Sequence, residues 1–427
     1  MKKVVVLGIS IFLLLIGYKA EAKDTMYSLN KYKEEYLEYI LKSYKEEKID
    51  GYVVAGTSKK EKEKQVIVLK YEKNGKLNWE YNYAKEGNNE LEGITYRYNE
   101  KKEMDGYLLV IRNTTEEKHY LVEMTLDGTT EEEHSLSLEK ESTIEKIVSN
   151  EKDYVFIGQK NDVAFLTKYD KNFNEVWTKT YQKENVKTSM KDILYYEEVG
   201  YFGLVEIETD KEKSYELVKW DINGDFQKVL KSDFEKEDDP HLEKEKDAYI
   251  LYGITQEVKL SEKDSRSFYV KKYNLEGVEE WETIGDTSIH QEEVLKLQPV
   301  LEEGKEIKYY ILIKNSSDDS YEVIQMNIEG LIEKKIKKIK NDYYRMNDFQ
   351  IDGSNIYFAG QIDCPEEDNC DYHKNALFLI SDEDKVIEVK ASDSKVVLIV
   401  TSIAICGVIV VYLIRKRKEL QNKKKKH

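Results

Sequence analysis

The sequence predicts an all-β fold: a single β-propeller, with seven four-stranded blades as the preferred count, followed by one C-terminal transmembrane helix. Three observations predict it. A tyrosine-marked hydrophobic strand recurs along the chain, hairpin turns containing glycine follow four of the markers at a similar offset, and 19 uncharged residues (396–414) lie near the C-terminus. The propeller is predicted to occupy residues 49–390.

The repeat is marked by a hydrophobic strand that a tyrosine introduces. Most intervals between markers are 47 or 48 residues. A period of about 40–50 residues with four short strands is typical of propeller blades. For the last marker, Ile356 is an alternative to Tyr357, and six to eight blades are compatible with the spacing. The seven markers are Tyr52, Tyr107, Tyr154, Tyr201, Tyr249, Tyr310 and Tyr357.

Hairpin turns support the repeat. Asn74-Gly75, Asp127-Gly128, Asn223-Gly224 and Glu329-Gly330 follow their markers, and Asn-Gly and Asp-Gly are the strongest short hairpin signals. Asp221 to Asp225 resembles the start of a calcium loop. Phe226 and Ser232 stand where such a loop needs glycine and a bidentate glutamate, so we predict a turn there.

The N-terminal segment 23–48 has two interpretations. Tyr32, Tyr36, Ile40 and Tyr44 are spaced four apart, as on one face of an amphipathic helix. The same residues can supply the innermost strand of the first blade. The sequence leaves both open.

Both ends of the chain predict membrane targeting. Residues 1–22 have the basic start, short apolar run and Ala20-Glu21-Ala22 ending of a cleaved signal peptide. Residues 396–414, as a helix, span about 28 Å, close to the hydrocarbon thickness of a bilayer. A linker (391–395) precedes the span, and a basic tail (415–427) follows it. Basic residues mark the cytoplasmic side, so we expect a single-pass protein of the cell membrane with its N-terminus outside.

The charge of the chain excludes one class of partner. The formal net charge of the whole chain is −17. Because this total includes the positive charges of the tail, the exported part alone is more negative than −17. Such a surface repels phosphates, so we expect no nucleic-acid binding. The 33 tyrosines and 40% hydrophobic content indicate a folded domain rather than a disordered one. Abundant lysine and tyrosine with little proline suggest a bacterial source.

The most distinctive local feature is an acidic loop between two cysteines. Cys364 and Cys370 lie in the exported part, where a disulfide between them can close a small loop. The carboxylates of this loop can bind calcium or a basic partner, although solvated acidity is the simpler interpretation. Calcium is the only cofactor that this loop suggests. These carboxylates are Asp363, Glu366, Glu367, Asp368 and Asp371.

The pattern of strand, acidic residue, glycine turn and tryptophan resembles the quinoprotein-like (PQQ-like) propeller repeats of bacterial exported proteins. The resemblance covers about 330 residues, and it implies a propeller fold. Tryptophan follows the turn in three copies, at Trp79, Trp177 and Trp281. The chain departs from the quinone-dependent dehydrogenases of that family, which usually have eight blades and often an adjacent cysteine pair. The enzyme features are therefore not carried over.

No catalytic site is predicted. The sequence contains no G-x-S-x-G, P-loop or H-E-x-x-H motif, and its six histidines lack the close spacing of a metal site. We therefore expect no catalytic or metal-binding residues and no resident cofactor. The leading hypothesis is a non-enzymatic, membrane-anchored extracellular module that binds a protein or glycan. The alternatives are a scaffold for membrane or envelope assembly and an extracellular hydrolase or oxidoreductase.

Overall fold

A computed structural model shows an all-β chain. It describes residues 25–29, 34–45, 48–60, 62–136, 138, 142–232, 237–255, 266–285, 292–301, 307–316, 319–340, 344–353, 355–363, 374–382 and 387–388. The described residues contain 29 strands and no helix. Residues 1–387 form one compact unit, and 388–427 are assigned to a second, of which the structure describes only Glu388.

The strands form six antiparallel sheets built from consecutive hairpins. The largest, with eight strands, contains β1 (Thr25–Leu29), β2 (Glu34–Lys45), β3 (Lys48–Lys60), β4 (Glu63–Glu72), β5 (Leu77–Tyr83), β26 (Tyr344–Asp352), β27 (Asn355–Asp363) and β28 (Lys374–Asp382). Two four-stranded sheets follow in the chain: β6 (Asn89–Tyr98), β7 (Met104–Asn113), β8 (Lys118–Thr125) and β9 (Thr130–Leu136), then β10 (Thr143–Ser149), β11 (Asp153–Lys160), β12 (Val163–Asp170) and β13 (Glu175–Tyr181).

The remaining three sheets repeat the pattern. They contain β14 (Lys187–Tyr196), β15 (Gly200–Glu208), β16 (Lys213–Trp220) and β17 (Phe226–Ser232); β18 (Glu237–Lys244), β19 (Ala248–Thr255), β20 (Ser267–Asn274) and β21 (Glu279–Ile284); and β22 (Glu292–Leu301), β23 (Ile307–Asn315), β24 (Ser320–Met326), β25 (Ile332–Lys340) and β29 (Ile387–Glu388).

The first strand of each four-strand meander lines a central channel. These strands contact one another in chain order, and the last contacts the first, so they close a ring; they are β2, β6, β10, β14, β18, β22 and β26. Sheets arranged radially around a closed ring of inner strands are the defining feature of a β-propeller. The predicted propeller fold is therefore confirmed.

The predicted count of seven blades was wrong, because the described strands form six sheets. The first and last repeats belong to one eight-stranded sheet. Seven of its strands follow the order β26-β27-β28-β2-β3-β4-β5, and the eighth, β1, pairs with β28. Two backbone pairings produce this merger. Glu34 of β2 pairs in parallel with Lys374 of β28, and β1 pairs antiparallel with β28 from Thr25↔Ile380 to Leu29↔Ala376. Strands that are distant in sequence thus close the ring, and no local pattern predicts such a pairing.

The N-terminal segment is extended where the structure describes it. Of the two interpretations, the helix was wrong: Tyr36, Ile40 and Tyr44 lie in β2, the innermost strand of its meander. Strand β1 was not anticipated as a separate element. No helix among the described residues is long and apolar enough to cross a membrane. The predicted signal peptide, linker, transmembrane helix and basic tail lie outside the described residues.

Every inner strand carries a β-bulge near its start, and these bulges fix the alignment of the repeats. The register shifts at equivalent points, for example between Leu37 and Tyr39 in β2 and between Val294 and Lys296 in β22. Aligning the bulges confirms the tyrosine markers as far as Tyr249 and moves the next one from Tyr310 to Tyr309. The last marker becomes Ile356, the alternative to Tyr357, by the same criterion.

Apolar side chains from facing sheets fill the spaces between the blades. One cluster combines Val53, Val66 and Val68 of the first meander with Leu109 and Val122 of the next, all almost fully buried. Because both faces of the middle strands are covered, these strands are continuously apolar rather than alternating, as in the buried stretch of β3. This burial is the main favourable term that holds the blades together.

Tryptophans join alternate pairs of neighbouring meanders. Trp79 and Trp281 contact the marker tyrosine of the next meander, Tyr107 and Tyr309, with ring centroids 6.5 and 5.6 Å apart. Trp177 meets Tyr201 in the same way, at 5.7 Å. The repeated tryptophan that the sequence showed is thus a contact between blades, which gives it a structural role.

Candidate functional site

The channel at the bulged ends of the inner strands is the candidate site. A bulge places two successive residues against one partner residue and so re-aims side chains, which is why bulges are common beside functional sites. Here the extra residues include Glu92, Glu145 and Lys191. The repeated bulges therefore turn charged side chains of several strands toward the channel.

The cavity at this end has a volume of about 530 Å³ and is predominantly acidic. Among the described residues that line it, seven carboxylates face three lysines and one histidine. The carboxylates are Glu92, Glu145, Asp192, Glu206, Asp239, Glu243 and Asp348. The basic residues are Lys146, Lys191, Lys296 and His241. The excess of negative charge in a concave, partly desolvated site favours cationic ligands.

Two of these aspartates hold the ring together. Asp192 accepts a hydrogen bond from Lys146 Nζ at 2.6 Å and another from the Leu242 amide of the following inner strand at 2.8 Å. Asp348 repeats the arrangement, with Lys296 Nζ at 3.0 Å and the Ile40 amide of β2 at 3.0 Å. Both aspartates are 5% exposed. Both carboxylates are thus engaged by neighbouring inner strands and have a structural role.

Other carboxylates at this end are paired at more exposed positions. Lys191 Nζ lies 3.0 Å from a Glu145 oxygen and 3.9 Å from Glu206. The Tyr215 hydroxyl donates to Glu206 at 3.2 Å. His241 Nε2 lies 3.5 Å from Asp239, and this contact lowers the pKa of Asp239, partly offset by burial. These side chains can exchange their present partners for a ligand.

Glu243 lies deeper in the channel. It also lines a second cavity of about 600 Å³ that continues toward the opposite mouth, as does Lys146. Burial raises the pKa of Glu243, while the charges of Lys296 and Lys146 oppose the rise. No ammonium group lies within ion-pair distance of Glu243 among the described residues. It is therefore a carboxyl group that a cation could pair with.

A second cluster of polar groups lies away from the channel. Glu123, Glu132 and His134 bring potential metal-ligand atoms within 4.8 Å of one another. The Arg97 guanidinium also contacts this cluster, at 2.9 Å from Glu123, and pairs with Glu131. A fixed positive charge beside the ligand atoms disfavours a metal ion. We interpret the cluster as an ion-pair network.

The predicted acidic loop is not described. Cys364, Cys370, Glu366, Glu367, Asp368 and Asp371 lie outside the described residues, so the disulfide and the binding loop stay predictions. Asp363 is the last residue of β27 and pairs with Lys374. The calcium-like stretch at Asp221 is a turn, as predicted: its carboxylate accepts the amides of Asn223 and Asp225.

The channel residues cannot be recognised from single positions of the sequence. The chain has 84 acidic residues, so no single pair stands out, and a bulge has no residue signature of its own. The periodic position just after the bulge, occupied by Lys146, Asp192, Lys296 and Asp348, is a signal that an alignment of the repeats could have shown.

Comparisons with known proteins support no family assignment. No protein-family model and no curated protein matches the chain, so the quinoprotein-like resemblance stays a prediction. Among solved structures, the propeller domain of the Trilobed protease from Pyrococcus furiosus is 11% identical with a TM-score of 0.49, covering 83% of this chain and 97% of that one.

Two further solved structures are similar at the same level. Sqt1 from Chaetomium thermophilum is 10% identical with a TM-score of 0.46 and covers 82% of this chain and 96% of that one. Drosophila Plexin A, in complex with Semaphorin 1b, is 6% identical with a TM-score of 0.48 and covers 84% and 87%. The assignment rests on the chain's own ring of inner strands: this protein is a β-propeller.

Proposed function

We propose that this chain is a membrane-anchored, non-enzymatic binding module of the cell surface, and that its propeller takes a cationic group of a protein ligand into the acidic end of the channel. The observation that carries the proposal is the imbalance of seven carboxylates against three lysines around one cavity. Lysine or arginine side chains are long enough to enter such a cavity while the rest of a protein stays outside.

The channel carboxylates divide into two that hold the structure and others that a ligand can reach. Asp192 and Asp348 hold backbone amides and lysines. Glu145, Asp239 and Glu243 are more accessible to a ligand, and they can form charge-assisted hydrogen bonds with an incoming cation.

Peptide binding to the full chain in nanodiscs tests this proposal. The probes are lysine- and arginine-containing dodecapeptides and the same peptides with acetylated lysines and citrulline for arginine. We expect preferential binding of the basic set, and we expect the double variant Asp239→Asn/Glu243→Gln to weaken it at least about fivefold, from loss of charge-assisted hydrogen bonds.

The matched control is Asp247→Asn. Asp247 is exposed in the turn between β18 and β19, at the opposite end of the same strand. An equal loss with this control would indicate general charge attraction rather than a site. Equal binding of basic and neutralised peptides would contradict the proposal.

A further inference from the structure

The exposed apolar side chains of the propeller are concentrated at one end of the blades. Of the eleven large hydrophobic residues exposed among the described ones, nine lie at the end that carries the turns between the third and fourth strands of each meander. Eight of them define the apolar rim: Val176, Ile222, Phe226, Val278, Leu301, Ile328, Leu331 and Ile332. Leu77 lies at the same end in the eight-stranded sheet.

The topology places these residues on one face. The inner strand runs away from the bulged end, so the turns that leave the first and third strands are both opposite that end. Leu301 ends β22, and Ile328 and Leu331 lie in the turn between β24 and β25. The acidic cavity and the apolar rim are therefore on opposite faces of the propeller.

The turns of the rim touch one another around the ring. A Cβ on Gly224 would lie 2.9 Å from Trp177 of the preceding sheet, and one on Gly277 would lie 3.0 Å from Leu230. A Cβ on Gly330 would lie closer still, 2.4 Å from Trp281 Cε3. The rim is therefore a connected arc across consecutive blades rather than scattered exposure.

The exit of the chain indicates what covers this arc. Ile387, the last residue of the propeller unit, lies in β29 at the outer edge of the sheet that carries Leu301, Leu331 and Ile332. Eight residues separate it from the predicted span at 396. Fully extended, they reach about 28 Å. The chain thus leaves the propeller from the blade with the most exposed apolar side chains, and a membrane anchor at 396–414 would limit how far that blade can move from the bilayer.

We propose that the apolar rim rests on the lipid bilayer, so that the propeller lies with its acidic cavity facing away from the membrane. This inference relies on the membrane anchor of the proposed function. Apolar side chains at a lipid interface are stabilised by burial in the boundary between headgroups and acyl chains, and Phe226, 54% exposed, is suited to it.

Fluorescence quenching in the full chain tests the proposal. With Cys364, Cys370 and Cys406 replaced by serine, a single cysteine is introduced by Val278→Cys or Leu331→Cys and labelled with an environment-sensitive NBD group. The chain is reconstituted in phosphatidylcholine–phosphatidylglycerol vesicles that contain nitroxide-labelled acyl chains. We expect blue-shifted emission and at least about twofold stronger quenching than in the control Ile284→Cys. Ile284 is 48% exposed and ends the same strand β21 at the opposite face.

A second variant separates lipid contact from proximity alone. Phe226→Gln combined with Leu331→Gln should reduce the quenching of a label at position 278 while leaving the circular dichroism unchanged. Equal quenching at 278 and 284 would overturn the proposal. Blue-shifted emission that persists without lipid and rises with protein concentration would also overturn it, by assigning the rim to another copy of the chain.

Flotation of the full chain with vesicles after a carbonate wash tests the anchor separately. Flotation with water-exposed rim labels would refute the rim contact and leave the anchored module intact. Failure to float would refute the anchor itself, and with it this inference.

Discussion

The indole of Trp281 packs against Tyr309 across a sheet boundary, with ring centroids 5.6 Å apart, and its Nε1 donates to the Ile328 carbonyl at 3.0 Å. One side chain thus holds both the marker strand and the turn of the next meander. Trp79 makes the equivalent hydrogen bond to Leu126 at 3.2 Å. These tryptophans thus add a hydrogen bond and ring packing to the apolar core between the blades that they join.

We expect Trp281→Ala to destabilise the propeller by about 2–3 kcal/mol, because it removes aromatic packing and a hydrogen bond at a partly exposed site. Trp281→Phe should cost less, about 1–2 kcal/mol, since it removes the hydrogen bond and part of the indole packing but keeps an aromatic ring. Urea denaturation measures both. Val278→Ala is the control, because Val278 is exposed in the turn directly before the strand that carries Trp281. It should change the free energy of unfolding by less than about 0.5 kcal/mol.

Position 330 requires glycine for two reasons, its backbone conformation and the close approach of a neighbouring side chain. Its φ is +78°, and an added Cβ would lie 2.4 Å from Trp281 Cε3. We expect Gly330→Ala to destabilise the chain by at least about 2 kcal/mol. Gly353→Ala is the matched control, because Gly353 has φ +61° but no atom within 4 Å of the added Cβ. It should cost only about 1 kcal/mol, for the left-handed backbone. Equal losses would show that the steric contact is unimportant.

Glu38 is the extra residue at the bulge of β2, and we expect it to make the free energy of unfolding depend on pH. Burial, followed by repulsion from Glu90, raises the pKa of Glu38 to about 7. The folded state thus prefers the neutral acid. The stability that the protonated Glu38 contributes is fully present below the unfolded pKa of about 4.3 and is lost as the pH rises through 7. Glu38→Gln should be more stable than the native chain by about 1–2 kcal/mol at pH 8 and equal at pH 4.

Denaturation curves at both pH values check the Glu38 prediction. The exposed Glu63→Gln controls for the change in net charge and should show no such difference between the two pH values. A pH-independent gain for Glu38→Gln would indicate better packing of the amide instead.

Strand β1 closes the ring, and its removal should open it. Deleting residues 25–29 removes the pairing with Leu377 and its neighbours and leaves an edge of β28 unpaired. We expect a lower Tm and faster amide exchange in residues 376–380, measured by hydrogen–deuterium exchange of the full chain. Exchange in β15 should remain unchanged. Unaltered exchange in β28 would mean that β1 does not contribute to closure.

The repeat could be predicted from sequence because its signals are local. Tyr52 and Tyr154 mark strands, and Gly75 marks a turn, because these residue types are favoured in those backbone conformations. Tyr309 and Tyr310 are adjacent, so the marker could be misplaced by one residue, and only the bulge at Val294 fixes its position.

The ring closure and the channel depend on contacts that are distant in sequence. Glu34 pairs with Lys374, and Asp348 with Ile40, each across more than 300 residues. The site was missed for the same reason, because charged residues separated by about 50 positions become neighbours only when the inner strands converge. Their individual residue types carry no signal.

The tryptophan links have a consequence for how the ring moves. They occur at every second boundary, from Trp79, Trp177 and Trp281, while Lys228 and Lys334 occupy the equivalent place on β17 and β25. The other boundaries are held by apolar and aromatic packing, such as Phe202 against Tyr249 at 5.2 Å, without an indole ring between them. We expect any opening of the ring to begin at these boundaries, so that the channel can widen there for a larger ligand while each sheet stays intact.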